Sequence, residues 1–229
     1  MFAQMASHVQ VHLRHHGLML PRRLFQLYGG LVLYGASAGL ILLAAYGADP
    51  WDVFHQGLSR HTGIGTGIWV CIVGALVLLL WIPLRQKPGL GTISNVIVVG
   101  LAIQLVLVLF DTPGAPAARL SLLVAGIVLN GVATGLYIGA RFGPGPRDGL
   151  MTGLAAHGHS IRVVRTGIEL TVLALGALLG GTVGIGTVAY ALLIGPLAHV
   201  FVPLFELPEA PRRSAPRTFR VRLAAERQH

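Results

Sequence analysis

Three acidic residues sit where an apolar chain must make room for charge. Glu169 falls about six residues inside an apolar run, hence about 9 Å deep if that run is a helix. A charge at mid-membrane costs about 2.5–3.5 kcal/mol on insertion scales. Arg165, four residues earlier, shares the helix face and can pair with it. Two readings follow: a proton or cation site, or a structural Arg–Glu pair. Asp52 and Asp148 each stand two residues after a proline, in Pro50-Trp51-Asp52 and Pro146-Arg147-Asp148. They could bind cations, or only cap helices that start at the prolines. Arg147 could hold an anionic head group or substrate, or anchor the chain at the interface. Gln56 and Asn130, with Asn95, Gln104 and His199, are polar residues within or near apolar runs. Such residues bond between helices or line a pathway.

Other chemistry is excluded by pattern. There is no HExxH on a helix and no P-loop, so no enzyme activity and no cofactor are expected. His8, His12, His15 and His16 follow helical spacing, but no cysteine or acidic residue joins them and no metal site is expected. Cys71 is the one cysteine; it reads as a small apolar residue, and no disulfide framework exists.

The elements that position these residues are membrane helices. The 229 residues are 54% hydrophobic and 11% charged, with mean hydropathy +0.72. Soluble domains carry roughly a quarter charged residues. A span needs about 20 mostly apolar residues, and six runs qualify: Leu24–Tyr46, Gly67–Leu84, Gly91–Phe110, Leu120–Ala140, Val163–Leu179 and Thr187–Leu204. Residues 1–23 lack the pattern of a signal peptide and read as a tail. The transmembrane domain is expected over 24–205 and a basic tail over 206–229.

With six spans, both tails and the loops after the second and fourth runs share one face. That face takes all of the 17 basic residues except Arg60 and Arg119. Positive charge stays on the cytoplasmic side, so both termini are expected to be cytoplasmic, in a bacterial inner membrane. The basic face attracts anionic lipid head groups. This explains the net charge of +9 and leaves no role for nucleic acid.

The phrase GADPWDVFHQGL, Gly47–Leu58, recurs as GPGPRDGLMTGL, Gly143–Leu154. At an offset of 96 residues Pro50 meets Pro146, Asp52 meets Asp148 and Gly57 meets Gly153. The earlier pairs Gly35/Gly131 and Gly39/Gly135 keep the same offset. Repeat one is about 24–110 and repeat two about 120–205. Each holds three spans, and an odd number inverts the second copy. The reading is two inverted three-helix repeats, an architecture of secondary transporters. On it, Pro50-Trp51-Asp52 faces outside and Pro146-Arg147-Asp148 the cytoplasm.

Proline suits the first helical turn, and an aspartate there meets the positive end of the helix dipole. Half-helices are therefore expected from Pro50 to about Arg60 and from Pro146 to about Ala156, re-entrant or interfacial. GLGTI and GIGTV read as turns opening the third and sixth spans. The faces Gly35-xxx-Gly39 and Gly131-xxx-Gly135 permit close helix approach, and their matched placement suggests that spans one and four cross there.

GADPWDVFHQGLSRHTG, LLLWIPLRQKPGLGTISN, GLYIGARFGPGPRDGLMTGL and IRVVRTGIE resemble the YczE-like bacterial integral membrane proteins, grouped under a YczE/YyaS/YitT heading. The resemblance covers about Gly30 to Pro203. It implies a polytopic inner-membrane protein and brings no functional residues with it.

The expectation is an all-α polytopic membrane protein, a small secondary transporter or permease for an unnamed small solute. The alternative is a non-transporting scaffold or assembly helper. Oligomeric state is not legible.

Overall fold

The computed structural model describes residues 2–207, with side chains from Leu20 onward. The basic tail beyond 207 and the side chains of His8, His12, His15 and His16 lie outside the described residues. Within them the chain is all-helical. The helices are α1 (Phe2–Ala44), α2 (Pro50–Thr62), α3 (Thr66–Leu80), α4 (Leu90–Leu109), α5 (Pro116–Gly139), α6 (Pro146–Ala155), α7 (Ile161–Leu178) and α8 (Ile185–Phe205).

Each of the six apolar runs contains a helix, but fewer than six are spans on their own merits. Leu20–Ala44 of α1, α4, α5 and α8 are long and apolar enough to cross a membrane. The pair α2 and α3 makes a fifth only if counted together, and it bends by 115° at its break. α7 falls short because its 18 residues carry Arg162, Arg165 and Glu169. The start also differs: α1 continues through residue 23 with Pro21 inside it.

Apolar side chains point outward as well as inward. Phe25 is 84% exposed and Leu178 83%. A water-soluble monomer does not leave contiguous surface of this kind uncovered; lipid covers it.

α1 and α5 pack along their lengths at the centre, with Leu27, Leu31, Ile41 and Ile127 buried between helices. Their close approach uses Gly30 and Gly126, not the glycine faces expected. A Cβ on Gly30 would lie 2.8 Å from the Tyr137 amide nitrogen, and one on Gly126 3.0 Å from the Ser37 carbonyl. Gly35 and Gly39 instead face Val99, Ala102 and Val106 of α4, while Gly131 and Gly135 face Leu197 and Phe201 of α8. Gly30 lies five residues before Gly35, about 140° around the helix. A small-residue face allows contact without specifying the partner.

Many local contacts recur at an offset of 95 or 96 residues. α1 and α5 both end just before a left-handed residue, Ala45 (φ 52°) and Arg141 (φ 57°), followed by Gly47 (φ 103°) and Gly143 (φ 115°). Arg119 Nε donates to the Ala44 carbonyl (2.8 Å) and Arg23 Nε to that of Ala140 (3.1 Å). Each guanidinium also covers a ring, Tyr46 at 4.4 Å and Phe142 at 4.8 Å. Cations there complement the helix C-terminal carbonyls. GLGTI and GIGTV open α4 and α8, as read. The Gly91 amide donates to the Phe142 carbonyl (2.9 Å), and that of Gly186 to Tyr46 (2.8 Å).

The short helices cross over between halves. α2 packs on α7, and α6 packs on α3. Gly176 of α7 abuts the Phe54 backbone, where a Cβ would come within 2.6 Å. Gly149 of α6 lies flat against the Trp81 ring, where a Cβ would come within 1.9 Å. The correspondence then fails at one place. α3 packs on α4, but α7 makes no comparable contact with α8.

Candidate functional site

α2 starts where a backbone turn, a proline and a cap coincide. Asp49 is the N-cap: its Oδ1 accepts from the amides of Trp51 (2.8 Å) and Asp52 (3.0 Å). Pro50 fills the first turn, where no amide is needed. Asp52 is therefore free of capping duty. Its Oδ1 lies 3.3 Å from His55 Nδ1, one turn along. α6 starts at Pro146 after Gly145, which offers no side-chain cap.

The two starts meet. Arg147 Nη1 lies 3.4 Å from Asp49 Oδ1 and Nη2 lies 3.6 Å from Asp52 Oδ1. The guanidinium also covers the Trp51 ring at 5.2 Å. The expected placement of the two phrases on opposite membrane faces is thus corrected: their first turns are within one arginine's reach of each other. The reason is that each chain turns back at Gly47 or Gly143, so both helices begin inside the protein. Arg147 and Trp51 occupy matching positions, yet they stack together inside and do not suit separate interfaces. Trp81 Nε1 holds the α6 start by donating to the Pro146 carbonyl (3.0 Å).

Beside this junction is a cavity of about 580 Å³, within the usual range of small-molecule sites of about 300–1,000 Å³. Asp49, Trp51 and His55 contribute from the α2 start, and Arg147 and Asp148 from α6. Arg165 and Glu169 reach it from α7, and Tyr190 and His199 from α8. Val70, Val73 and Val77 of α3 form an apolar wall, with Val96 and Val99 of α4. α7 and α8, which do not pack on each other, both contribute to its lining.

Charge around it is unevenly matched. Arg165 Nε donates to Glu169 Oε1 at 3.0 Å, so the sequence-read pair forms, half-exposed on α7. Arg147 has two carboxylates. No cation lies within ion-pair distance of Asp148 among the described residues; it accepts a bond from the Tyr137 hydroxyl (3.3 Å). Two buried side-chain atoms also lack a partner among the described residues, Trp51 Nε1 and His55 Nε2.

Of the remaining sequence candidates, Asn95 lines the cavity, while Gln56 and Asn130 serve packing. Gln56 Oε1 accepts from the Thr182 amide (2.6 Å), tying α2 to the loop after α7. Asn130 is 1% exposed and joins three helices. Its Nδ2 donates to Ser37 Oγ (2.9 Å), and its Oδ1 accepts from the Tyr190 hydroxyl (2.9 Å). Neither lines the cavity. Sequence reasoning missed Asp49, His55 and Tyr137. Asp49 was findable, since an aspartate directly before a helix-initial proline is a cap signal. His55 shares a helix face with Asp52 at i, i+3; Tyr137 carried no local signal.

The family model described as "Family of unknown function (DUF6198)" matches residues 21–203. An uncharacterized protein of Haemophilus influenzae is 39% identical over 183 residues, covering 79% of this chain and 84% of its own. The uncharacterized membrane protein YczE of Bacillus subtilis is 33% identical over 178 residues, covering 72% and 83%. The uncharacterized protein YyaS of the same organism is 30% identical over 190 residues, covering 80% and 94%. No solved structure matches the chain.

Proposed function

Since this chain belongs to the family of unknown function DUF6198, we propose a function from its own geometry: a small secondary transporter or permease. One observation carries the reading. A cavity lined by ionisable side chains sits where the first turns of α2 and α6 meet. A scaffold needs no such space, and apolar packing would fill it at lower free energy.

The wider architecture supports the same reading. On it, α7 is a sixth span, polar because it lines the cavity, and the chain is two inverted repeats of three spans and one half-helix each. The recurring arginine caps and helix-opening glycines fit such an ancestry. Substrate sites of inverted-repeat transporters lie at the repeat interface, next to broken helices. Both termini are then cytoplasmic in the inner membrane, with the basic face against anionic lipid.

The packing difference between the halves gives the transport step. α3–α4 is closed and α7–α8 is open. Exchanging these two packings moves the opening of the cavity to the other side of the membrane. In the proposed orientation the opening beside Arg165 and His199 gives onto the cytoplasmic half.

The test is a reconstituted flux screen. Purified protein in liposomes, under proton, sodium or solute gradients, is offered amines, carboxylates, sugars and phosphates. Gradient-driven uptake that Arg147→Ala abolishes is expected. No uptake of any class would overturn the proposal.

A further inference from the structure

We infer that the cavity selects a protonated amine that bears a second polar group, anchored by Asp148 and by the free acceptor of His55. This rests on the permease reading for its purpose, but not for its chemistry.

Two arginines at a cavity would ordinarily suggest an anion. Here both are engaged. Arg165 is paired with Glu169 at 3.0 Å, and Arg147 lies between Asp49 and Asp52 at 3.4 and 3.6 Å. The two half-helix starts would also attract an anion. Each is already answered by carboxylates in its own first turn, Asp49 and Asp52 on α2 and Asp148 on α6. What is left over is negative. Asp148 lines the cavity, and among the described residues only the Tyr137 hydroxyl is bonded to it.

The second observation is independent of these carboxylates. His55 is 1% exposed and lines the cavity. Its Nδ1 lies 3.3 Å from Asp52 Oδ1, and in the tautomer that donates to this carboxylate Nδ1 carries the proton. In the neutral ring Nε2 is then a lone pair that requires a donor. It has no partner among the described residues, and neither has the neighbouring Trp51 Nε1–H, which requires an acceptor. The two rings lie 6.5 Å apart. Leaving buried polar groups unmet is unfavourable.

One ligand class meets these demands together. An ammonium N–H donates to Asp148 and to His55. A hydroxyl or carbonyl on the same molecule accepts from Trp51. Aromatic faces favour a cation nearby, and the valine wall takes an apolar substituent. A carboxylate or phosphate would face Asp148 across low-dielectric space and would leave His55 Nε2 without a donor.

The test measures binding alone. The full chain in lipid nanodiscs is titrated calorimetrically with 2-amino-1-phenylethanol. Mandelate has the same ring and hydroxyl and a carboxylate in place of the aminomethyl group. The N,N,N-trimethyl analogue of the amine keeps the charge but has no N–H. The amine is expected to bind, mandelate to give no signal, and the trimethyl analogue to bind about tenfold more weakly. Asp148→Asn is expected to weaken the amine about tenfold or more, and Asp148→Glu to retain most of the affinity. Mandelate binding as well as the amine would overturn the inference, and so would absence of amine binding. Should Asp148→Asn not fold, the three-ligand comparison on the unaltered protein decides. Amine binding with no flux of any solute sinks the permease reading and leaves this inference intact. Flux carried only by carboxylates or phosphates does the reverse.

Discussion

Arg147 Nη1 lies 3.4 Å from Asp49 Oδ1, joining residues 98 apart in the chain. The contact ties the start of α6 to the start of α2. The arginine side chain is 25% exposed and the aspartate 7%, so solvent screens the pair only in part. Removing one partner leaves a partly buried charge unmet. Arg147→Ala is expected to cost about 2–4 kcal/mol in an SDS-unfolding titration. Combining it with Asp52→Asn should recover about 1 kcal/mol, because the double variant removes one of the two orphaned charges. Strictly additive losses would show that the two groups do not interact.

Gly149 is held against Trp81, itself 2% exposed. Gly149→Ala puts a methyl into the indole ring. Overpacking of this kind costs about 1–3 kcal/mol, read as a lower midpoint in thermal unfolding of the solubilised protein. Gly167 on α7 has open space where its Cβ would be. Gly167→Ala should be neutral, or stabilising by up to about 1 kcal/mol through helix propensity. An unchanged midpoint for Gly149→Ala would contradict the packing described.

Arg119 and Arg23 make matching contacts with the C-terminal carbonyls of α1 and α5. Arg119→Ala and Arg23→Ala should each lower stability by about 1–3 kcal/mol. Lysine should restore only part of it, since one ammonium cannot reach two carbonyls and stack on a ring as a guanidinium does. Similar losses at both sites are expected. A loss at one site alone would weaken the case that the two halves share an origin.

Inversion makes a topological prediction. Reporter tags inserted within Asp111–Ala118 and within Arg85–Pro88 should appear on opposite faces of the membrane. Finding both on one face would show that α4 does not cross the membrane, which the inverted arrangement requires.

The gap between α7 and α8 should admit water-soluble reagents. In a Cys71→Ser background, His199→Cys is expected to react with a membrane-impermeant methanethiosulfonate from the cytoplasmic side, using inverted vesicles. Ala133→Cys, at a position with 0% exposure, should not react. Modification of His199→Cys only from the outside would reverse the proposed orientation of the opening.

The sequence by itself determined what depends on neighbours along the chain. Apolar runs located the long helices to within a few residues, the start of α1 excepted, because hydropathy and helix length are local quantities. Pro50 and Pro146 marked both half-helix starts, since a missing amide is harmless only in a first turn. The 96-residue recurrence was legible because both stretches carry the same glycines and prolines at matching positions. Tertiary structure alone decided which surfaces those elements share. Gly35 and Gly131 advertised close packing, but helical phase cannot say whether α4, α5 or α8 arrives there. Nothing local marked Arg147 as the partner of Asp49 and Asp52, or Tyr137 as the partner of Asp148. Those contacts exist because the chain turns back at Gly47 and Gly143. The two short helices therefore begin side by side in the interior, where a polar group left unmatched acquires a use.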